Sequence, residues 1–341
     1  MKKLLFALAV SAALISCKKD VEEIITPVEK LSPDIPLTIT GSTVEPKLLY
    51  QPSATYNYLG YGYDVTENFD SETSIRANVV DIPRFDASPM HTVSLSRGTK
   101  FSWKTLIAKD AVDLSEQFSN YYTETKGLKI FGNTVNEAFP ASTTANVNFV
   151  YGYYSNYMIR KNFRFYYDKS VNNFITNQFK QDLNSLDAEN LIKKYGTHVL
   201  IGVNIGAKFD VIYQAVSRGG DRQKISMEGQ RYAMKNTFGL PTGNLDDIDL
   251  QNLNANSFAK VYYTSTGGDM KLLKEQTFSK KVFLNISDWL NSRTEERARF
   301  IGASEDGFRP IYYFIDDASK KAKVMAYFDQ YVATNSVKLT N

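Results

Sequence analysis

The feature that most constrains this sequence is a long alternation of apolar and polar residues. Every odd position from 199 to 215 is apolar: Val199, Ile201, Val203, Ile205, Ala207, Phe209, Val211, Tyr213 and Ala215. The even positions are mostly polar or glycine. A period of two predicts a strand with one buried face. At roughly 3.3 Å per residue this strand would be about 55 Å long, whereas ordinary strands have about five or six residues.

Three further segments carry the same kind of pattern. Between Ala145 and Tyr167, ten of the twelve odd positions are apolar or aromatic, which predicts a second very long strand with a bend near Ser155. Shorter alternations predict strands at Tyr56–Val65 and Ala259–Thr266. The four segments together predict an antiparallel sheet in which two strands are unusually long.

The residues before the first alternation predict a short helix. Asp187 is a suitable N-cap, Glu189 lies in the first turn, and Lys193 and Lys194 lie in the last turn, as the helix dipole favours. Gly196 stands where a left-handed residue would end the helix.

This junction resembles the signature of a known family. The sequence Tyr195-Gly196-Thr197-His198, followed by Val199, six residues and Gly206-Ala207, resembles the signature of the membrane-attack-complex/perforin (MACPF) family. Two positions depart from that signature, since Val199 replaces an aromatic residue and Ala207 replaces a second glycine. The resemblance covers roughly residues 56–332. It implies an α+β fold with a bent, twisted four-stranded antiparallel sheet, very long strands and two flanking helical clusters.

The resemblance also implies that each cluster unfolds into a transmembrane β-hairpin. By order along the chain, the clusters fall at about residues 126–144 and 217–257. In the first, Phe131, Val135 and Phe139 follow helical spacing. In the second, one strand parity carries the apolar row Tyr232, Met234, Phe238 and Leu240, broken by Asn236, over the length of about ten residues that a tilted membrane strand requires.

Other residues of the second segment oppose insertion at bilayer depth. Its charges would have to line a lumen or stay outside: Arg218, Asp221, Arg222, Lys224 and Glu228. The alternative, that both segments are ordinary helices and loops packed on a sheet, therefore stays open.

The N-terminal region predicts export and lipid attachment. Residues 1–16 combine Lys2 and Lys3 with a short apolar run, as in a signal peptide. The run ends in a lipobox-like Leu14-Ile15-Ser16 before Cys17, the only cysteine and the expected lipid attachment site. Residues 17–48 are charged and proline-containing, which predicts a tether. We expect residues 49–341 to form one MACPF-like domain without a separate C-terminal domain.

The composition offers little support for catalysis. The chain has two histidines, His91 and His198, and neither has the spaced partners of a zinc site. We expect His198 to make structural hydrogen bonds and Asp316-Asp317 to cap a helix, with no metal and no cofactor. Without Lys2 and Lys3, 38 basic residues face 37 acidic ones, so nothing indicates a nucleic-acid partner. We predict that the protein is not an enzyme.

These observations lead to one functional prediction and one alternative. The first is a lipid-anchored protein of the outer membrane, facing the exterior of a Gram-negative cell. It would be monomeric in solution and would form a ring of identical subunits on a target-cell membrane, as a pore-forming antibacterial toxin with an unknown receptor. The alternative is a non-lytic adhesin or ligand-binding module with the same fold.

Overall fold

The computed structural model describes residues 35–42, 45–140, 146–240, 252–278 and 281–340. The strands of this part are β1 (Thr38–Ser42), β2 (Tyr61–Tyr63), β3 (Ile75–Asn78), β4 (Ser94–Ala108), β5 (Phe149–Arg164), β6 (His198–Leu200), β7 (Gly202–Val216), β8 (Ser257–Thr266), β9 (Lys274–Phe278), β10 (Lys281–Asn285), β11 (Arg299–Ala303) and β12 (Phe308–Pro310). The helices are α1 (Ile82–Asp86), α2 (Ala111–Ser119), α3 (Asn133–Ala138), α4 (Asn177–Ser185), α5 (Ala188–Tyr195), α6 (Arg222–Ala233), α7 (Ser287–Asn291) and α8 (Ala318–Thr334). A π-helical turn, Met234–Phe238, continues α6.

The centre of the fold is a sheet with the strand order β1-β8-β7-β5-β4, in which β11 also pairs with β7. The pairs β4–β5, β5–β7 and β7–β8 are antiparallel, whereas β1 runs parallel to β8. The predicted α+β class with a long-stranded antiparallel sheet is confirmed. Three of the four predicted strands lie in this sheet, as β5, β7 and β8, and within the described residues β1, β4 and β11 complete it.

The strand predicted over residues 199–215 is divided between two sheets, so the prediction of one continuous strand was wrong. Residues 202–216 form β7 of the central sheet, whereas His198–Leu200 is β6 of a four-stranded sheet with the order β12-β6-β2-β3. The division occurs at Ile201, whose amide donates to the Gly307 carbonyl (2.7 Å) while its own carbonyl accepts from Phe165. The backbone changes partners at this residue, which ends one ladder and begins the other.

The other strand predictions were correct in part. The second long strand is present as Phe149–Arg164, and the last as Ser257–Thr266. The bend near Ser155 was wrong, because the register shift in β5 lies between Ile159 and Lys161, opposite Gly206. The strand over Tyr56–Val65 was also wrong: only Tyr61–Tyr63 is extended, in the four-stranded sheet, after Gly60 turns the chain with φ +81°.

The prediction of one buried face fails for β7, because both faces are covered. The polar row on its even positions includes Lys208, Asp210 and Gln214, which are 4%, 8% and 0% exposed. Each of these side chains has a partner: Lys208 and Asp210 pair at 2.5 Å, and Gln214 donates to the Tyr151 hydroxyl at 3.0 Å. A polar row can be buried when its groups satisfy one another.

The apolar interior forms two separate cores. The large core contains Tyr63, Phe69, Phe118, Phe131 and Phe328, and it joins α2, α3, α5 and α8 to the four-stranded sheet. The small core lies along the odd positions of β7 from residue 207 to residue 215 and contains Ile35, Tyr213, Phe238, Tyr263 and Trp289. No helix in the described part of the chain has the length and apolarity needed to cross a bilayer.

Candidate functional site

The signature residues Tyr195, Gly196 and Thr197 join α5 to the four-stranded sheet. The Tyr195 hydroxyl donates to Asp182 Oδ2 at 2.6 Å. Gly196 has φ +74°, and a Cβ there would lie 2.6 Å from the Tyr63 backbone, so the turn requires glycine. The Thr197 hydroxyl donates to the Tyr63 carbonyl at 3.2 Å and accepts from the Val65 amide at 3.1 Å. The helix cap predicted at Asp187 is confirmed, since that side chain accepts from the Asn190 amide.

His198 is fully buried between aromatic rings. Its Nδ1 lies 3.0 Å from the Thr197 hydroxyl, and the rings of Phe308 and Phe328 lie edge-on to the imidazole. The Nε2 atom has no hydrogen-bond partner among the described residues. Burial, aided by the Arg309 charge, lowers the pKa of His198 to about 3, so the imidazole is neutral at physiological pH. A substrate cannot reach a side chain in this environment without the core opening.

Gly206 marks a close approach of two strands. A Cβ at this position would overlap the Met158 carbonyl oxygen of β5. The register of β5 against β7 shifts beside this contact, and β7 exchanges β11 for β8 as its partner just beyond it. Ala207, which departs from the family signature, is buried in the small core.

Two long chain segments leave and re-enter the central sheet at the same end. The first connection, residues 109–148, joins β4 to β5, and the second connection, residues 217–256, joins β7 to β8. The strand ends are adjacent, because Ala108 pairs with Tyr151, Phe149 with Val216, and Val216 with Ser257. Each connection therefore links two antiparallel strands, and the two connections are equal at forty residues.

The first connection contains α2 and α3 and packs in the large core. Phe131, Val135 and Phe139 are all at most 4% exposed. Helical spacing was predicted for them, and α3 spans Asn133–Ala138, with Phe131 just before it and Phe139 at its C-cap. The cluster predicted at residues 126–144 is thus the second half of a longer connection, and residues 141–145 lie outside the described part.

The second connection contains α6 and the π-helical turn and packs in the small core. The strand parity noted for Tyr232, Met234, Phe238 and Leu240 is not used in this conformation, because residues 222–238 are helical. All four side chains are 7% exposed or less. Residues 241–251 are outside the described residues, as is Cys17.

Two glycines allow α6 to lie unusually close to the sheet. A Cβ at Gly229 of α6 would overlap the Tyr213 hydroxyl of β7. A Cβ at Gly152 of β5 would lie 2.7 Å from the side-chain carboxamide of Gln230 in α6. Arg222 of the segment also donates to the Phe149 carbonyl of β5 (2.7 Å) and to the Lys109 carbonyl of the first connection (2.8 Å). Glu228 accepts from the Asn252 amide at 2.6 Å.

Sequence analysis missed two elements at the sheet edges. One is the edge strand β4, although Phe101, Trp103, Thr105 and Ile107 alternate with Ser102, Lys104 and Leu106. The other is β1, within the segment predicted as a tether. We call residues 35–42 the strap; it covers the β8 edge and places Ile35 in the small core. Its signal is the alternation of Ile35, Leu37 and Ile39 with polar or proline residues.

Comparison with known proteins identifies the family. The MAC/Perforin domain model matches residues 51–340. A crystal structure of a MAC/perforin-domain protein from Bacteroides thetaiotaomicron superposes with a TM-score of 0.65 at 16% identity, covering 84% of this chain and 62% of that one.

GNIP1Aa from Chromobacterium piscinae superposes with a TM-score of 0.63 at 16% identity, covering 86% of this chain and 59% of that one. This chain thus spans about three fifths of the length of both structures. No curated protein matches in sequence. The extent of the domain match and the arrangement of the sheet lead to one conclusion: the chain belongs to the MAC/perforin (MACPF) family.

Proposed function

We propose that this protein forms pores in a target membrane by inserting two β-hairpins per subunit. The observation that carries the proposal is the position of the two connections. Each links neighbouring antiparallel strands at the same end of the sheet, so each can extend a hairpin already begun by β4–β5 or β7–β8. The pairings within the sheet need not change.

The connections are long enough for this role. Forty residues provide two arms of about twenty residues, or roughly 65 Å per arm at about 3.3 Å per residue. The hydrocarbon core of a bilayer is about 30 Å thick. The row formed by Tyr232, Met234, Phe238 and Leu240 becomes the lipid-facing side of one arm, and the charged residues of α6 stay at the lumen or outside the bilayer.

Insertion requires several subunits, because unpaired backbone groups in hydrocarbon cost several kcal/mol each. The edges of the sheet support lateral pairing. β4 is exposed along most of its length, whereas β8 is covered by the parallel strand β1. A neighbour that pairs with β8 must therefore displace the strap, and repetition of one contact closes a ring.

The proposal extends to the location of the protein and to its target. Lipid attachment at Cys17 would hold the protein on the outer membrane, facing outward, as a toxin against competing cells. The strap begins eighteen residues after Cys17, so a lipid on Cys17 would be joined through the intervening chain to the strand that covers β8. The proposal assigns the protein no reaction and no cofactor.

A disulfide between the second connection and the sheet tests the proposal. Gly152→Cys and Gln230→Cys place thiols on two positions that touch, in a chain carrying Cys17→Ser so that no other thiol is present. We expect the oxidised variant to release dye from liposomes at least about tenfold more slowly than the reduced one, since α6 can no longer leave the sheet. The two single-cysteine variants serve as controls.

Two outcomes would contradict the proposal. Full leakage by the oxidised variant would show that α6 does not need to leave the sheet. If the protein without the disulfide adheres to target cells but causes no leakage from those cells or from liposomes, the alternative of a non-lytic binding module is favoured.

A further inference from the structure

One polar side chain of α6 is buried against the small core. Gln230 is 2% exposed, and its carboxamide lies on Gly152 of β5, where a Cβ would approach it to 2.7 Å. Val150 and Tyr154 flank Gly152 on the same face of that strand, since alternate residues of a strand share a face. Both belong to the small core, so the carboxamide is placed beside apolar side chains.

The carboxamide of Gln230 makes no hydrogen bond. Neither its Nε2 nor its Oε1 has a partner among the described residues, and each atom exposes less than 1 Å² of surface. Water therefore cannot reach either atom while α6 is packed on the sheet. A primary amide can donate two hydrogen bonds and accept two, and burying it without partners costs free energy.

Polar groups near this carboxamide are engaged elsewhere. Ser226, one helical turn before Gln230, donates to the Tyr151 carbonyl of β5. Tyr213, on the neighbouring strand β7, donates to Asn256 Oδ1 at 2.8 Å. Ser226 thus binds the sheet, whereas Gln230, on the same face of the helix, does not.

The cost of the unpaired carboxamide disappears when α6 leaves the sheet. In the open conformation, water forms hydrogen bonds with both polar atoms of Gln230. An apolar side chain at the same position would instead lose its burial on opening. Compared with an apolar residue of similar size, Gln230 therefore shifts the equilibrium towards the open conformation.

We propose that Gln230 destabilises the packed conformation of α6 and thereby promotes release of the second connection from the sheet. The effect on opening does not depend on pore formation, whereas its use during insertion rests on the proposed function. In the extended arm, Gln230 lies two residues before Tyr232, where the apolar row begins. It is then outside the stretch of about ten residues that crosses the bilayer.

Hydrogen exchange of the full chain tests the proposal. Gln230→Met removes the polar atoms but keeps a long, unbranched side chain with high helix propensity. We expect the amides of residues 222–238 to exchange at least about tenfold more slowly than in the unmodified protein. Dye release from liposomes of phosphatidylethanolamine and phosphatidylglycerol should slow by a similar factor. Gln230→Glu keeps the shape but adds a charge, so it should accelerate exchange.

Gln223→Met is the matched control, because Gln223 lies in the same helix, is exposed, and donates to the Ile107 carbonyl at 3.2 Å. This variant should exchange no more slowly than the unmodified protein. Gln230→Leu is the second apolar variant if Gln230→Met does not fold.

The proposal is overturned if neither apolar variant of Gln230 folds with slower exchange in residues 222–238, or if Gln223→Met slows exchange equally. Slower exchange with unchanged dye release would uphold the role of Gln230 in opening. The same result would contradict release of α6 as a step of the proposed pore formation.

Discussion

The two connections have equal length and leave the same end of the sheet, but they pack in different surroundings. The first places Phe118 and Phe131 in the large core, where they contact Phe69, and it is further fastened by the Val337 amide, which donates to the Lys129 carbonyl at 2.7 Å. The second packs in the small core, against the odd positions of β7 and the β9–β10 region.

This difference in packing predicts the order in which the two connections leave the sheet. Removing the first connection opens the core that also holds α5, α8 and the four-stranded sheet, so its release is coupled to global unfolding. Removing the second opens only the small core. We therefore expect the second connection to open locally at a lower free energy than the first.

Truncating one buried aromatic residue in each core should show the difference between the two connections most clearly. Phe131→Ala is expected to lower the free energy of global unfolding by about 3–5 kcal/mol, because the ring is fully buried in the large core. Phe238→Ala, its counterpart in the small core, should mainly accelerate hydrogen exchange in residues 222–238. Denaturant titration and hydrogen exchange measure the two effects. If both variants lost protection from hydrogen exchange equally throughout the domain, the two cores would not open independently.

The glycine contact beneath α6 gives the next largest effect. Gly229→Val drives a side chain into the Tyr213 hydroxyl and so disturbs its hydrogen bond to Asn256 (2.8 Å). We expect a loss of about 3 kcal/mol in the opening free energy of the second connection, at the upper end of overpacking effects. Gly219→Ala, in the same connection, is the control, since its Cβ meets nothing within 4 Å. Similar exchange rates in both variants would contradict the expected close contact.

Acid should act on the large core through His198. Its pKa is about 3 in the folded protein and about 6.5 in the unfolded chain, so below about pH 6.5 the unfolded state binds the proton first. Stability should therefore fall as the pH falls, by about 2 kcal/mol between pH 7 and 5. Urea midpoints at pH 7 and 5 measure this loss. The His198→Gln variant should lose less stability between pH 7 and pH 5 than the unmodified protein does. If both lose the same amount, other groups cause the acid sensitivity.

The smallest effect is expected at the strap, which belongs to the small core. Gly41 pairs with Tyr263 of β8, and a Cβ at Gly41 would overlap the tyrosine ring. Gly41→Val should loosen the strap by about 1.4 kcal/mol, which corresponds to roughly tenfold faster hydrogen exchange in residues 38–42 and faster dye release.

Gly98→Val is the control at the opposite edge, because a Cβ at Gly98 meets nothing within 4 Å. Dye release that is no faster in Gly41→Val than in Gly98→Val would show that the strap does not limit lateral pairing.

Local features of the fold could be predicted from the sequence. The helix α5 begins after Asp187 and ends at Gly196, and α8 begins after Asp317, as the capping residues indicated. These ends depend on hydrogen bonds between residues three or four positions apart, which a single sequence contains. The long strands β5 and β7 were also evident, because a period of two persists along them.

The candidate site was only partly predictable. The family resemblance identified the second connection and the second half of the first, but the packing of Phe131 and Phe238 in separate cores was not evident. Strand β4 was missed because its first half, Ser94–Lys100, is exposed and carries little apolar pattern. The unpaired carboxamide of Gln230 arises from its contact with β5, which no local sequence pattern encodes.

The sequence by itself determined that β5, β7 and β8 are extended, where α5 and α8 begin, and which family the chain resembles. Alternation places side chains on opposite faces of a strand, but it does not say what packs on either face. Only the tertiary structure decided that both faces of β7 are buried, that the backbone changes sheets at Ile201, and that the strap covers β8. Those outcomes depend on contacts between residues far apart in the chain, whose free energies become favourable only after the intervening segments have folded.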